Sequence, residues 1–292
     1  MLDELYAMYQ QQLDEVKLMR AMLGDGDMPE ELLEEVKGEV AKLEAELKQL
    51  RAELGDAGHD EAGDAGELAG DELVRSWTHV ELTKHAGLQL AQHNRIADNT
   101  WYWEEYGDFL WSPAIALARW LAQESIALED KTVLELGAGL GLPGVTAATV
   151  GARQVLIQDQ LEVSLREVTA TAARNGVDDR VSTLACAWDD LGRQLPVDFR
   201  EPDVVLGSCL LYEPDTSLAL AGSLSQVLKG PGVAYIVAAE WEGSQDVFID
   251  HCKEARLIVE RSELHTWVPD AEQEATTMHA MFTVRTTTTT QQ

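Results

Sequence analysis

The sequence predicts an α/β fold: a doubly wound parallel sheet with a helical appendage ahead of it. Three observations carry that reading. From residue 131 onward, short β-rich runs alternate with helix-length segments. The first of those runs opens directly into a glycine-rich loop. A heptad pattern followed by an acidic Gly/Ala stretch sets the first 72 residues apart from the rest. Strands alternating with helices imply helices packed on both faces of a mostly parallel sheet.

Taken in order, Leu2, Leu5, Tyr9, Val16, Met19 and Leu23 share one helical face, with Gln12 in the missing heptad place. Asp27, two residues before Pro29, is a plausible N-cap for a second helix. Val36, Val40, Leu43, Leu47, Leu50 and Leu54 then repeat at spacings of 4, 3, 4, 3 and 4, a heptad seam. Residues 1–54 therefore read as a helical hairpin or coiled coil. Such a seam can close on itself, pair with a coiled-coil partner or form a homodimer; it can also be a solvated appendage with no chemistry. Residues 55–72 hold only Gly, Ala, Leu, acids and one His, and read as a flexible linker.

The globular domain is expected over residues 73–285. Residues 77–82 and 87–91 alternate loosely and suggest a hairpin. Ser112-Pro113 opens a helix reaching residue 123, with Ser as N-cap and Pro at the first helical position. Strands follow at 131–135, 154–159, 181–186, 203–207 and 233–239. Helices are expected over 142–150, 161–174, 215–228 and 244–255, with Asp215 capping the third and Asn175-Gly176 ending the second. Two last strands, 257–265 and 279–285, have no helix-length segment between them, which implies an antiparallel edge strand. Residues 286–292 form a Thr/Gln tail that is expected to fray.

Composition narrows the function. The 292 residues carry 22 Lys+Arg against 52 Asp+Glu, a net charge of −30, and are 45% apolar. That apolar content supports a large core. Residues 1–72 hold 21 acidic and 6 basic residues, a net of −15, so a quarter of the chain carries half of the charge. The balance argues against nucleic-acid binding, which needs clustered cations; it suits a basic protein partner. No run approaches the roughly 18 apolar residues of a membrane span. No basic-then-apolar leader opens the chain. Cys186, Cys209 and Cys252 are odd in number and widely spaced, which fits a reducing compartment, the cytoplasm or the nucleus. The histidines show no metal-ligand spacing.

The sharpest motif is Glu135-Leu-Gly137-Ala138-Gly139-Leu-Gly141-Leu-Pro143-Gly144, between a strand and a helix. Glycines let backbone approach a ligand, and the helix start offers positive potential. Asp159 ends the next strand, 20 residues after Gly139, where a carboxylate can accept both ribose hydroxyls of a nucleoside. Gly139-x-Gly141-x-x-Gly144 formally matches the dinucleotide fingerprint. Glu135, however, would repel a pyrophosphate and suits the ammonium end of S-adenosylmethionine.

Across residues 100–285 the sequence resembles the lysine methyltransferase-like branch of the class I S-adenosylmethionine-dependent methyltransferases, methyltransferase family 16. The resemblance rests on motifs in order: Leu110-Trp111-Ser-Pro, VLELGAGLGLPG, Ile157-Gln-Asp159, Ala187-Trp188, and Asp203-Val-Val-Leu-Gly-Ser208-Cys209-Leu-Leu-Tyr212-Glu213. It implies a Rossmann-like, seven-stranded methyltransferase sheet and S-adenosylmethionine as cofactor. It also implies methyl transfer to a lysine of a protein substrate. By position, it places Trp111 near the cofactor, Gly137, Ala138 and Gly139 on its amino-acid part, Asp159 on the ribose, Trp188 beside the adenine and Ser208 on the methionine side. Glu135 and Gly141 complete the expected cofactor set.

One departure stands out. The family carries an acid and, three residues later, an aromatic after the fourth strand; here the tetrad is Cys209-Leu-Leu-Tyr212. A lysine of ordinary pKa, about 10.4, must lose a proton before its nitrogen can attack. With Cys at 209, that task falls to Glu213 or Glu240, or the acceptor is not lysine, or the domain binds cofactor and catalyses weakly. Tyr212, Cys209 and Glu213 are the expected catalytic positions. Tyr102, Trp103 and Tyr106 with Glu104, Glu105 and Asp108 form an acidic aromatic patch suited to a cationic side chain, or a packed cap over the sheet.

Overall fold

The computed structural model describes Lys42 and residues 73–83, 86–95, 110–123, 126–239, 242–265 and 279–287. The expected helical hairpin (Lys42, which is helical, apart), the linker, the aromatic patch at 102–108 and Glu240 lie outside the described residues. The chain divides into two compact units, Met1–Gly66 and Glu67–Gln292; the architecture below belongs to the second.

That unit begins with an antiparallel hairpin, β1 (Leu73–Thr83) and β2 (Ala86–Arg95), longer at both ends than its alternation suggested. Helix α1 (Ser112–Ala122) follows. Then come β3 (Thr132–Glu135), α2 (Leu142–Thr149), β4 (Gln154–Asp159), α3 (Glu162–Arg174), β5 (Val181–Ala185) and α4 (Trp188–Gln194). The chain continues through β6 (Val204–Ser208), α5 (Pro214–Val227), β7 (Val233–Ala239), α6 (Gln245–Glu254), β8 (Leu257–Leu264) and β9 (His279–Thr286).

The expected doubly wound sheet is present, with seven strands in the order β5-β4-β3-β6-β7-β9-β8. Strands β3 to β7 are parallel to one another, and β9 runs antiparallel between β7 and β8. The antiparallel strand is therefore one place in from the edge: β8 occupies the edge itself, and β9 is inserted between it and β7.

Strand alternation supplies two cores. Val133, Val155 and Ile157 pack with Leu117 and Leu121 of α1, Val145 of α2, Val168 of α3 and the hairpin's Leu88 and Leu90. Leu134, Leu156 and Val205 face Leu191 of α4, Leu220 and Leu224 of α5 and Phe248 of α6. The hairpin is tied to α3 by polar contacts as well. Ala91 N–H donates to Thr171 Oγ1 at 2.9 Å, and Asn175 exchanges bonds of 3.0 and 2.8 Å with Gln89.

Three local expectations change. Helix α1 is capped by Trp111, and Ser112 sits inside the helix, its hydroxyl 3.2 Å from His279 Nε2. Helix α5 is capped by Glu213 with Pro214 in its first turn, so Asp215 lies within the helix rather than at its cap. Helix α4 was not foreseen.

Candidate functional site

The chain order of the sheet reverses between β3 and β6, which sit side by side. A crevice at the carboxyl ends of strands next to such a reversal is where open α/β sheets bind ligands. The loops after β3, β4, β5, β6 and β7 all converge on that end.

The loop after β3 holds its shape through glycine. Gly137, Gly139 and Gly141 have φ of 57°, 52° and 69°, a left-handed region that residues with a Cβ enter at a cost. A Cβ on Gly137 would lie 2.7 Å from Leu210 Cδ2 and 3.1 Å from Trp188, so glycine also sets the approach to those side chains.

The loop's amides turn inward to β4. Gly137 N–H donates to Gln158 Oε1 (3.2 Å), Ala138 N–H to the Gln158 carbonyl (3.0 Å) and Gly139 N–H to Asp159 Oδ2 (2.8 Å). Gly141 N–H donates to the Ala138 carbonyl at 2.9 Å. These donors are engaged within the protein. A pyrophosphate-binding turn works by presenting such donors to the ligand. The carboxylate of Asp159 lies where that turn would offer positive potential. The loop is therefore organised around anions of its own and suits a cationic or neutral ligand.

Asp159 is nearly buried. Its Oδ1 accepts from Leu161 N–H at 2.9 Å and its Oδ2 from Gly139. Burial pushes its carboxyl above the ordinary range, and these backbone bonds oppose the shift. Gln160 N–H is a third backbone partner; with two lone pairs on each carboxylate oxygen, capacity remains for one ribose hydroxyl.

Gln158, quoted in the motif but assigned no role, holds three elements at once. Its Oε1 accepts from Gly137 N–H and from Trp188 Nε1 (2.9 Å), and its Nε2 donates to the Cys186 carbonyl at 2.6 Å. That bond fixes the half-buried indole of Trp188 beside the glycine loop.

Glu135 points inward, toward the start of α2. It is fully buried, and its Oε2 accepts from Gly144 N–H at 2.9 Å, in the first turn of α2. A Cβ on Gly144 would meet that oxygen at 2.4 Å, so this glycine makes room for the carboxyl. Desolvation raises Glu135 to about 8, with the nearby charge of Asp159 adding to the shift and the Gly144 bond opposing it. Its Oε1 has no hydrogen-bond partner. In this structure Glu135 supports the loop from beneath, and Gly141 caps α2 with its missing Cβ turned toward Val168 and Ile157.

On the other side of the crevice, Ser208 ends β6 half-buried. Cys209 follows with φ 57°, left-handed and non-glycine, its N–H donating to the Val237 carbonyl at 3.0 Å. Strained backbone at a strand end beside a ligand crevice is a recurrent feature of functional sites. The Cys209 thiol is buried. Leu210 reaches across to Gly137. Tyr212 is half-buried, its hydroxyl pushed up by burial. Glu213 is exposed and serves as the cap of α5.

Sequence reasoning missed Glu242, in the loop after β7. It is 1% exposed and its Oε1 accepts from Ala239 N–H at 2.7 Å, its Oε2 from Leu211 N–H at 2.6 Å. Burial raises its carboxyl to about 7, opposed by those two bonds and by a hydrogen bond with Cys209. Trp111, half-buried at the head of α1, stands near the same end of the sheet, because its neighbour Ser112 meets His279, which pairs with Ala239 at the end of β7. Among the described residues no group of His, Cys, Asp and Glu could hold a metal ion, and no helix is long and apolar enough to cross a membrane.

Comparison with known proteins agrees with this arrangement. A Xenopus laevis protein named histone-arginine methyltransferase METTL23 is 35% identical over 112 residues, covering 38% of this chain and 47% of its own length. The Xenopus tropicalis protein N-lysine methyltransferase METTL21A is 32% identical over 134 residues, 45% of this chain and 60% of its own. A Candida glabrata protein N-terminal and lysine N-methyltransferase, EFM7, is 26% identical, covering 59% of this chain and 72% of its own. The chain thus spans about half to three fifths of the first two of these curated relatives. The family described as "Lysine methyltransferase" matches residues 92–255, more than half of the chain and all of the loops just described; the chain belongs to that lysine methyltransferase family.

Proposed function

We propose that the chain is an S-adenosylmethionine-dependent N-methyltransferase that modifies a lysine side chain of a protein. The observation that carries this reading is the inward-facing glycine loop: the amides of Gly137, Ala138 and Gly139 are held by Gln158 and Asp159 instead of being presented to a pyrophosphate. That geometry sets the dinucleotide alternative aside.

The residues present fit the cofactor that family membership implies. A cradle that a Cβ at Gly137 would fill lies between the loop, Leu210 and Trp188. Asp159 retains acceptor capacity for a ribose hydroxyl beside the backbone N–H groups it already accepts from. When bound, S-adenosylmethionine supplies an electrophilic methyl on a sulfonium, which an uncharged nitrogen takes in line while the sulfur leaves as a thioether.

The chain's contribution is placement and desolvation. Asp159 and Gln158 hold the loop. Trp188 is fixed as a wall, and Ser208–Tyr212 forms the opposite side, on which the acceptor nitrogen is presented. The acceptor's ammonium must shed its proton before transfer. A buried cysteine stands at 209 in place of the acid the resemblance implies, so the proton leaves toward another group or water.

A second reading, an arginine acceptor, is favoured by the relatives named histone-arginine methyltransferase. Labelled S-adenosylmethionine incubated with the chain and a eukaryotic lysate, followed by mass spectrometry, separates the two. Label on lysine supports the first reading; label on arginine alone replaces it with the second. Absence of label from a folded chain that binds S-adenosylhomocysteine contradicts both.

A further inference from the structure

The loop after β7 carries a carboxyl that the reading above does not yet use. Glu242 is buried where β6 and β7 end, and its two oxygens accept from backbone N–H groups on both sides: Ala239 at 2.7 Å and Leu211 at 2.6 Å. Its third partner is the side chain of Cys209. Ser244 N–H donates to the Leu211 carbonyl at 3.1 Å, so the same turn is held from both its donor and its acceptor group.

These contacts converge on one short segment. Cys209 is left-handed at φ 57° without being glycine, a conformation that persists only where surroundings hold it. Leu210, between Cys209 and Leu211, is the residue that meets the glycine loop at Gly137. A shift of the turn would move Leu210 against the loop and change the width of the crevice between them. Among the described residues Glu242 makes no ion pair, so its bonds to the turn are its visible role.

Resting on the methyltransferase reading above, we propose that Glu242 is a positioning residue for the acceptor: its carboxyl clamps the Cys209–Tyr212 turn through Cys209 and Leu211, and so fixes the wall against which the acceptor nitrogen is held. Acid chemistry at this strand end is thereby present in space although position 209 is a cysteine. It arrives from the neighbouring strand's loop, 33 residues further along the chain.

The test uses the full chain, S-adenosylmethionine labelled on the methyl group and the proteins of a eukaryotic lysate as acceptor. Glu242→Gln keeps the side chain's shape but turns an amide N–H toward one of the two backbone donors. The expected result is a fall in label transfer at saturating cofactor of about tenfold or more, the size of effect a misplaced acceptor produces, with the Kd for S-adenosylhomocysteine unchanged within about threefold. Equal transfer by both proteins overturns the proposal. So does a parallel loss of transfer and cofactor binding, which marks a general structural role.

If Glu242→Gln lacks a cooperative melting transition, Cys209→Ala and Cys209→Ser carry the test instead. Ser can still donate to the carboxyl and is expected to retain most of the transfer; Ala cannot and is expected to lose it. Equal behaviour of Ala and Ser overturns the proposal. Absence of transfer by the unaltered chain overturns the reading beneath it, an outcome separate from those above.

Discussion

Asp159 and Gly139, 20 residues apart in the chain, are joined by a 2.8 Å hydrogen bond in which the loop N–H donates to the carboxylate. The bond does two things at once. It engages the loop's amide within the protein, and it orients the carboxylate proposed to accept from a ribose. Asp159→Ala removes both. Its expected effect is a rise in the Kd for S-adenosylhomocysteine of about tenfold or more, since an unpaired buried donor and a lost charged acceptor each weigh about 1–3 kcal/mol. Isothermal titration checks it; an unchanged Kd refutes the ribose role.

Two glycines with similar φ separate strain from site shape. Gly137→Ala forces a Cβ within 2.7 Å of Leu210 at φ 57°. Gly176→Ala adds one at φ 69° with nothing within 4 Å. Left-handed strain alone is about 1–2 kcal/mol, so both variants melt lower. Only Gly137→Ala is expected to weaken cofactor binding. Calorimetry paired with titration distinguishes them, and equal loss of binding in both would remove the argument for a cradle at Gly137.

Stability should fall as pH rises through neutrality. Burial raises Glu135 to about 8 and Glu242 to about 7 from an ordinary value of 4.5. Between that ordinary value and the raised ones, the fold holds protons that the unfolded chain has released. Stability therefore decreases with increasing pH across this window, by up to about 1.4 kcal/mol per pH unit for each group. The Tm is expected to drop between pH 5 and pH 8, where the groups titrate. Glu135→Gln should flatten that slope; a Tm that rises over the same range contradicts the account.

The hairpin is pinned to α3 by Arg75, whose Nε and Nη2 reach the two oxygens of Glu167 at 2.5 and 2.7 Å. Glu167 is fully buried, while the Arg75 side chain is 41% exposed. Arg75→Ala takes the guanidinium away from a buried carboxylate. The full penalty for breaking a buried pair is discounted here for solvent at the arginine, leaving about 1–2 kcal/mol. Chemical denaturation measures it. Glu167→Gln with Arg75→Ala should recover part of the loss, because the buried charge is gone.

What could be read in advance follows from how local each signal is. Strands β3 to β7 matched their expected limits to within about two residues, a margin typical of strong periodicity punctuated by Gly, Pro and Asn. Helix α4 escaped because WDDLGRQ has no apolar periodicity and buries only Leu191. The Ser-Pro rule misplaced the cap of α1 because Ser112 finds His279, 167 residues away, instead of its own helix. Glu242 was invisible for the same reason. In the run Glu-Trp-Glu-Gly-Ser it resembles a solvated loop acid, and only the meeting of the β6 and β7 ends buries it. Glu135 was found by its motif, yet its direction, toward Gly144 rather than outward, depends on the packing of α2 on the sheet.

The central claim is that the glycine loop takes a sulfonium nucleoside and not a pyrophosphate. Isothermal titration of the full chain with S-adenosylhomocysteine, and separately with NAD, tests it most directly. The account predicts saturable, one-to-one binding of S-adenosylhomocysteine and no heat from NAD. Binding of NAD, or no binding of S-adenosylhomocysteine by a chain that melts cooperatively, would contradict it.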